Sequence, residues 1–519
     1  APPETYHLTI TPAGITIAAP DPPGHFYALQ TLAQLRQQTG PTLPCLEIHD
    51  APSLPLRGYY LDISRGRIPR PDMLKRRIRL LAALKINHLQ LYFEHPFRFR
   101  FDPDIAGGPH ADAYTPEILR DLDTYCRNHF IEFVPSFTCY GHLGRILSLP
   151  QYRHLAEVEF PAPTWEHATW LQRLRGATLY TPHPQARQLI QNILDEFLPC
   201  FTAPRFNLCG DETHDLGRRT PGATPAQLAQ HYTDHLHHLH HIAARHGKTL
   251  MLWGDMLHQY PDAIPRLPPH THVLDWAYYP TNNFDKCRAF TARGIPTVTC
   301  PSTRGFGRLF NAVEEARTVL IAQARAAQTH GAIGLLTTDW GDYGHFNMPP
   351  ASLHAIALGA HLAWNPANDP HAPFDHAFSA LLFGAPDPHP AQLYAQAGAT
   401  PAPLATWPLA PVQGTPWPTD PAPARRLLEQ APAWATQFSR LTPTPWTDEN
   451  DLAQLALACR FLHLAAHLAT RAPPAQTLPL LDELEKAYAP LWYNESQPQG
   501  LIDLHTRGFT PLRHHLQNQ

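Results

Sequence analysis

The chain has 519 residues, 43% of them hydrophobic, enough to bury a sizeable core in about two to four domains or in one large barrel with additions. Its net charge is −4 and no long Lys/Arg run occurs, so it lacks the basic face of a nucleic-acid binder. The 58 prolines are roughly twice the usual share, which stiffens connections outside helices and strands. The eight cysteines, Cys45, Cys126, Cys139, Cys200, Cys209, Cys287, Cys300 and Cys459, show no CxxC spacing and read as mostly buried thiols, with no structural zinc. No run of about 18 apolar residues predicts a membrane span. The opening APPETYH has neither a charged nor an apolar signal region, which with the unpatterned cysteines points to the cytoplasm.

Residues 1–52 predict a small α/β domain. YHLTITPAGITIAA alternates around Pro12-Ala13-Gly14 as a hairpin. Phe26, Leu29, Leu32 and Leu35 then fall at helical spacing, and CLEIHD closes with a strand. A unit this small is marginal alone and must pack on the rest of the chain.

Residues 53–365 alternate apolar runs with amphipathic helices. The runs are LRGYYLDI (56–63), HLQLYF (88–93), IEFVPSF (131–137), RFNLC (205–209), TLMLW (249–253), HVLDW (272–276), PTVTC (296–300) and AIGLLTT (332–338). Eight buried strands separated by helices such as DMLKRRIRLLAALK predict a parallel, closed (β/α)8 TIM barrel of α/β class. A long insertion at 145–200 follows the third strand, where such loops shape a site. Residues 366–519 predict a mainly helical C-terminal domain, as in DLAQLALACRFLHLAAHLAT.

Barrel sites form at the C-terminal strand ends. Reading those ends in order gives Asp62 and Arg65, then Glu94 and His95, then Tyr140 and His142, then Asp211 and Glu212. The remaining ends carry Trp253 and Asp255; Asp275, Trp276 and Tyr278; Ser302, Thr303 and Arg304; and Asp339, Trp340 and Asp342. Acids, arginines, histidines and three indoles on one face suit a sugar, whose C–H faces stack on rings while its hydroxyls bond to carboxylates.

At these residues the chain resembles glycoside hydrolase family 20, the β-N-acetylhexosaminidase type. The similarity runs through the N-terminal segment, RGYYLDISRGR, KINHLQLYFEH, VPSFTCYGH, FNLCGDETHDLG and DWGDYGH. The resemblance implies a retaining, exo-acting enzyme that removes terminal GlcNAc or GalNAc by substrate-assisted catalysis through an oxazolinium, without cofactor or metal. It implies that Glu212 is the general acid/base and that Asp211 orients the substrate's 2-acetamido group. Arg65 would bind the 3- and 4-hydroxyls, and Trp340 and Asp342 the ring and outer hydroxyls. Trp253 and Trp276 would wall the acetamido pocket, with His142 in support. Glu94 or His95 would stand for the family's second-strand acid. The family's tyrosine after the seventh strand has no counterpart in VTCPSTRGFGR, so Tyr278, Tyr279 or Tyr343 is left to bind the acetamide oxygen. His214 stands where some relatives have Trp, and the N-terminal domain looks shortened.

On this reading Asp211 and a desolvated pocket raise the pKa of Glu212. The partner is an N-acetylhexosamine-terminated glycan, with no nucleic acid and no membrane. Two rivals are a catalytically inactive sugar-binding barrel and a metal-dependent barrel hydrolase using His142, Asp211 and Glu212. The latter lacks paired histidines on its first strand. The helix HYTDHLHHLHHIAARH carries i,i+4 pairs, His231/His235 and His237/His241, which can bind Zn but read here as a solvated face away from the strand ends.

Overall fold

The computed structural model describes residues 2–406 and 419–518. Strands β1 (Tyr6–Thr11), β2 (Gly14–Ala18) and β3 (Leu46–Asp50) form an antiparallel sheet in the order β2-β1-β3. Alternation puts Tyr6, Leu8 and Ile10 on one face, where they pack on Tyr27 and Ala28 of the helix Pro22–Thr39. Asp21 caps that helix by accepting from the Gly24 amide at 2.8 Å. So small a core leans on the barrel. Trp364 completes it, Arg57 pairs with Glu4 at 2.7 Å, and Lys85 pairs with Asp50 at 3.0 Å.

The eight apolar runs become eight parallel strands. They are β4 (Leu56–Asp62), β5 (His88–Phe93), β6 (Glu132–Phe137), β7 (Arg205–Asn207), β8 (Thr249–Trp253), β9 (His272–Trp276), β10 (Thr297–Cys300) and β11 (Gly334–Asp339). They close into a barrel in chain order, with β11 pairing back onto β4. Burial on both faces explains why they read as continuous apolar runs rather than as alternating ones.

The insertion after β6 folds over the barrel mouth and includes the helix Trp170–Arg175, started by a Thr169–Gln172 capping box. Beyond the barrel come the helices Ala372–Phe383, His389–Gly398, Ala422–Phe438, Glu449–Ala469 and Pro474–Glu495. Residues 407–418 of the expected helical stretch lie outside the described residues. These helices share one hydrophobic core with the barrel helices Val313–His330 and Leu353–Trp364. They also grip the segment after β4. Trp492 lies under the Arg67 guanidinium at 4.0 Å, Arg67 reaches Glu495 at 3.9 Å, and Arg76 pairs with Asp448 at 2.7 Å and with Asp451. The loop that carries Arg65 is therefore held from outside the barrel.

Among the described residues one helix, Glu449–Ala469, is long and apolar enough to cross a membrane, and most of it is buried in that shared core. The histidine-rich helix Pro225–Arg245 departs from the expected solvated face. His237 and His241 are exposed, but His235 is buried and its Nε2 meets the Cys139 carbonyl at 2.9 Å. The helix lies flat on the barrel, so every third or fourth position turns inward whatever its polarity. Cys45 is exposed, and the other seven cysteines are buried thiols.

Candidate active site

β7 ends at Asn207, and the chain turns sharply. Cys209, Gly210 and Glu212 all take positive φ, at 63°, 77° and 46°. Asn207 Oδ1 accepts from the Cys209 amide at 2.9 Å, and the Tyr232 hydroxyl donates to the Gly210 carbonyl at 2.9 Å. A Cβ on Gly210 would sit 2.8 Å from Leu208 Cδ1, and one on Gly141 would sit 2.4 Å from the Asp211 carbonyl. Both glycines permit a backbone approach that a side chain would block. Glu212 has no such freedom, and left-handed backbone costs a non-glycine residue about 1–2 kcal/mol. Strain of this kind collects where a side chain must be aimed.

The turn separates the two acids. Asp211 is buried, and its Oδ1 has no protein partner. Glu212 reaches outward, with its side chain 41% exposed. Its amide donates to Asp255 Oδ2 at 2.9 Å, which fixes the turn from β8's side. His142, from the end of β6, lies between them. Its Nε2 is 3.2 Å from Glu212 Oε2 and 3.7 Å from Asp211 Oδ2, and its Nδ1 meets the Leu174 carbonyl at 3.1 Å. His142 too has positive φ, at 54°.

Arg65 is brought in by Asp62, fully buried at the end of β4. Asp62 Oδ2 accepts from Arg65 Nη1 at 3.1 Å and from the Gly341 amide at 3.0 Å, joining the ends of β4 and β11. Arg65 also lies 3.4 Å from Glu94 and 3.9 Å from Asp342, and its guanidinium stands over the Tyr92 and Trp340 rings at 5.0 and 5.3 Å. Burial works against its charge, but Asp62, Tyr92, Glu94 and Asp342 overcome that and hold its pKa well above the usual value.

Trp253, Trp340, Trp276 and Tyr278 form an aromatic wall. Trp253 and Trp340 meet at 6.0 Å, and Trp276 stacks on Tyr278 at 4.9 Å. Trp340 Nε1 donates to the Tyr278 hydroxyl at 2.9 Å. Arg65, His142, Asp211, Glu212, Trp253, Trp276, Tyr278, Trp340 and Asp342 line one cavity of about 240 Å³. Of the residues expected from the sequence, Glu94 does not line it and stands behind Arg65. His95 lies further off, beside Trp165 at 6.1 Å. Leu174, Tyr279 and Phe306 complete the lining. Leu174 comes from the insertion helix and had no sequence signal. Phe306 had only a weak one, an aromatic in the loop after β10. Tyr343, on the loop after β11, is not part of it.

Charges in the cavity are strongly coupled. Burial disfavours the His142 imidazolium, yet Glu212 and Asp211 overcome it and raise its pKa to about 9. The nearby imidazoles of His142 and then His214 hold Glu212 well below the ordinary carboxylate range. That corrects the expectation of a raised Glu212: the side chain opens toward solvent, and two imidazoles outweigh the desolvation. Burial raises Asp211, opposed by His142 and reinforced by Glu212. Burial also lifts Asp255 to about 7, with the Asp211 charge adding to it, and lifts Asp342 to about 6 against the pull of Arg65.

The comparisons with known proteins fit this geometry. Residues 54–318, just over half of the chain, match the family model "Glycosyl hydrolase family 20, catalytic domain", and residues 1–51 match "Glycosyl hydrolase family 20, domain 2". The chain belongs to glycosyl hydrolase family 20. It is 29% identical over 232 residues to a beta-hexosaminidase of Akkermansia muciniphila, covering 40% of this chain and 45% of that one. It is 24% identical over 304 residues to a beta-hexosaminidase of Porphyromonas gingivalis, covering 53% and 38%. The matches thus span less than half the length of these curated relatives. In fold, the family 20 member is similar to the Flavobacterium johnsoniae chitobiase, with TM-score 0.58 and 17% identity over 99% of this chain and 80% of that one. It is also similar to the Vibrio harveyi exo β-N-acetylglucosaminidase, solved with N-acetylglucosamine, with TM-score 0.57 and 19% identity over 73% and 67%.

Proposed function

We propose that this protein is a retaining, exo-acting β-N-acetylhexosaminidase that uses the substrate's own acetamido group as nucleophile. The observation that carries the reading is the split of the adjacent acids, Asp211 turned inward with an unpaired oxygen and Glu212 opened outward, with His142 Nε2 3.7 and 3.2 Å from them. Two carboxylates so placed act on two atoms of one substrate. Family membership and the beta-hexosaminidase names of its relatives support the same reaction class.

Each step falls to a residue of the cavity. Arg65, with Asp342, holds hydroxyls of the terminal sugar, and Trp340 backs its ring. The acetamide enters between Trp253 and Trp276. Asp211 accepts from the acetamide N–H and stabilises the charge that grows there, as the carbonyl oxygen attacks C1 and the bond from C1 to the leaving oxygen breaks. The nucleophile is tethered, so its positional entropy is already lost. Glu212 gives the leaving oxygen its proton, which reaches Glu212 from the His142 imidazolium. The 3.2 Å contact lies off the line of a good hydrogen bond, a geometry that tightens as substrate closes the site. Water then attacks C1, Glu212 takes its proton, and the oxazolinium ring opens with retention of configuration. Tyr278 takes the acetamide-oxygen role, because Trp340 donates to its oxygen and leaves the phenolic proton available.

The test is turnover of chromogenic β-N-acetylglucosaminide against β-glucoside, with a thiazoline mimic of the intermediate as inhibitor. The reading expects cleavage of the acetamido sugar alone, blocked by the thiazoline. Equal cleavage of the glucoside, or no inhibition, defeats it.

A further inference from the structure

The chain contains 34 histidines, yet among the described residues one group of three or more His, Cys, Asp or Glu side chains has donor atoms that converge, and it is not on the histidine-rich helix. It is His7, Glu47 and His49, on the N-terminal sheet. The placement comes from strand register. In the antiparallel pair β1/β3, His7 is opposite His49 and Thr9 is opposite Glu47. Because Tyr6, Leu8 and Ile10 point into the small core, residues 7 and 9 point away from it, and their partners share that outer face. Cross-strand and diagonal neighbours on one face are close enough to touch.

We infer that His7, Glu47 and His49 form a surface site for a divalent transition metal such as Zn²⁺ or Cu²⁺, joining the sheet's edge strand β3 to its central strand β1. The nitrogens already focus on one point. Glu47 Oε1 lies 2.6 Å from His7 Nε2 and 3.2 Å from His49 Nε2, and the three donor atoms lie within 4.8 Å of one another. The two imidazoles lie 3.6 Å apart and 27° from parallel, so small side-chain rotations turn both lone pairs to a shared ion. Tetrahedral donors about 2.0–2.2 Å from an ion stand about 3.3–3.6 Å apart, so the 2.6 Å contact between Glu47 and His7 has to open by about 1 Å to admit one. Thr9 Oγ1 lies 3.2 Å from the same His7 Nε2, a contact that an ion would replace. Two imidazoles and one carboxylate select borderline ions over Mg²⁺ or Ca²⁺, with Cu²⁺ bound most tightly. The exposed setting leaves the remaining positions to water.

The contrast with the helix shows why spacing alone misleads. His231/His235 and His237/His241 have the i,i+4 spacing of a metal pair. His235, however, turns inward to the Cys139 carbonyl, and His237 Nε2 meets the Arg266 carbonyl at 2.9 Å. The sheet histidines, far apart in sequence, meet across a strand pair.

The inference does not rest on the proposed hydrolase reaction. It is tested by calorimetric titration of the full chain with ZnCl₂ in chelator-free buffer, for the wild type, His49→Gln and the double variant His7→Ala/His49→Ala. All three positions are at the surface, and thermal unfolding confirms that each variant is folded. The wild type should bind one Zn²⁺ at this site and unfold at a higher temperature with the metal. His49→Gln should weaken that binding at least tenfold, and the double variant should abolish it, with hydrolysis unchanged. Electron paramagnetic resonance of the Cu²⁺-loaded wild type should show two nitrogen ligands, falling to one in His49→Gln. The site is overturned if the wild type binds no Zn²⁺, or if the double variant binds with the same stoichiometry and affinity.

Discussion

His142 Nε2 lies 3.2 Å from Glu212 Oε2, and this proximity raises the pKa of the imidazole while it lowers that of the carboxyl. This pairing sets the expected pH dependence. The His142 pKa is raised to about 9, so the pair keeps its proton below that pH and loses it above. With no proton to hand over, kcat/KM should fall about tenfold per pH unit above about 9. In His142→Gln, Glu212 loses its main charged neighbour and moves toward the ordinary carboxylate pKa of about 4.3. The basic limb of the profile should therefore move down by several units. A raised pKa also means that the pair's contribution to stability is full below the unfolded histidine value and is lost as pH rises through about 9. The wild type should lose more thermal stability than His142→Gln between pH 7 and 10. A basic limb that stays in place in the variant removes His142 from the proton path.

The two acids should fail differently. Asp211→Asn removes the proposed preorganised partner for the acetamide, worth about 3–4 kcal/mol of transition-state stabilisation, and should lower kcat about 10²–10³-fold for every leaving group. Glu212→Gln removes the proposed proton donor, so its penalty should be large for a sugar leaving group and much smaller for a nitrophenolate, which departs without help. Steady-state rates across a series of aryl glycosides measure this. The same leaving-group sensitivity in both variants would refute the division of roles.

Tyr278 and Tyr279 are neighbours with opposite surroundings. Tyr278 accepts from Trp340 Nε1 at 2.9 Å inside the cavity, whereas Tyr279 is 46% exposed at its rim. Tyr278→Phe removes the proposed donor to the acetamide and leaves the Trp340 N–H unpaired, a loss of about 1–3 kcal/mol. Activity should drop at least about tenfold in Tyr278→Phe and stay near wild type in Tyr279→Phe. The reverse order would transfer the acetamide role to Tyr279.

Much of this was legible in the sequence, for physical reasons. Parallel strands buried on both faces must be apolar throughout, so the eight runs marked β4 to β11 directly. Once the strands were placed, the position of a barrel site drew Arg65, His142, the adjacent acids and the indoles to one mouth. What stayed hidden came from distant chain. The imidazole that most lowers the Glu212 pKa arrives from beyond the end of β6, across the whole 145–200 insertion, and adjacency in sequence gives no sign of it. Leu174 enters the cavity from that insertion, where an apolar residue on a short helix looks like any other. Glu94 and His95, adjacent and ambiguous in sequence, were told apart by which of them faces Arg65.

Arg65 offers a test in which stability and pH are linked. It is 10% exposed and stands among Asp62, Glu94 and Asp342, at 3.1, 3.4 and 3.9 Å. Arg65→Met keeps most of the side-chain volume but leaves buried carboxylates facing one another. Breaking such a buried pairing costs about 3–5 kcal/mol. The cost requires the acids to be ionised. Burial already raises Asp342 to about 6 and raises Glu94 with Arg65 present, and removing the guanidinium raises both further. Their folded pKa values then lie above the unfolded ones, so the variant regains stability as pH falls through the raised values and loses it as pH rises. Urea unfolding of the wild type and Arg65→Met at pH 5 and pH 8 should show a gap that is large at pH 8 and much narrower at pH 5. Substrate affinity should be lost at both pH values, because the proposed hydroxyl-binding group is gone. An equal stability gap at the two pH values would mean that the acids are not held ionised by Arg65 and that its role in the cavity is steric.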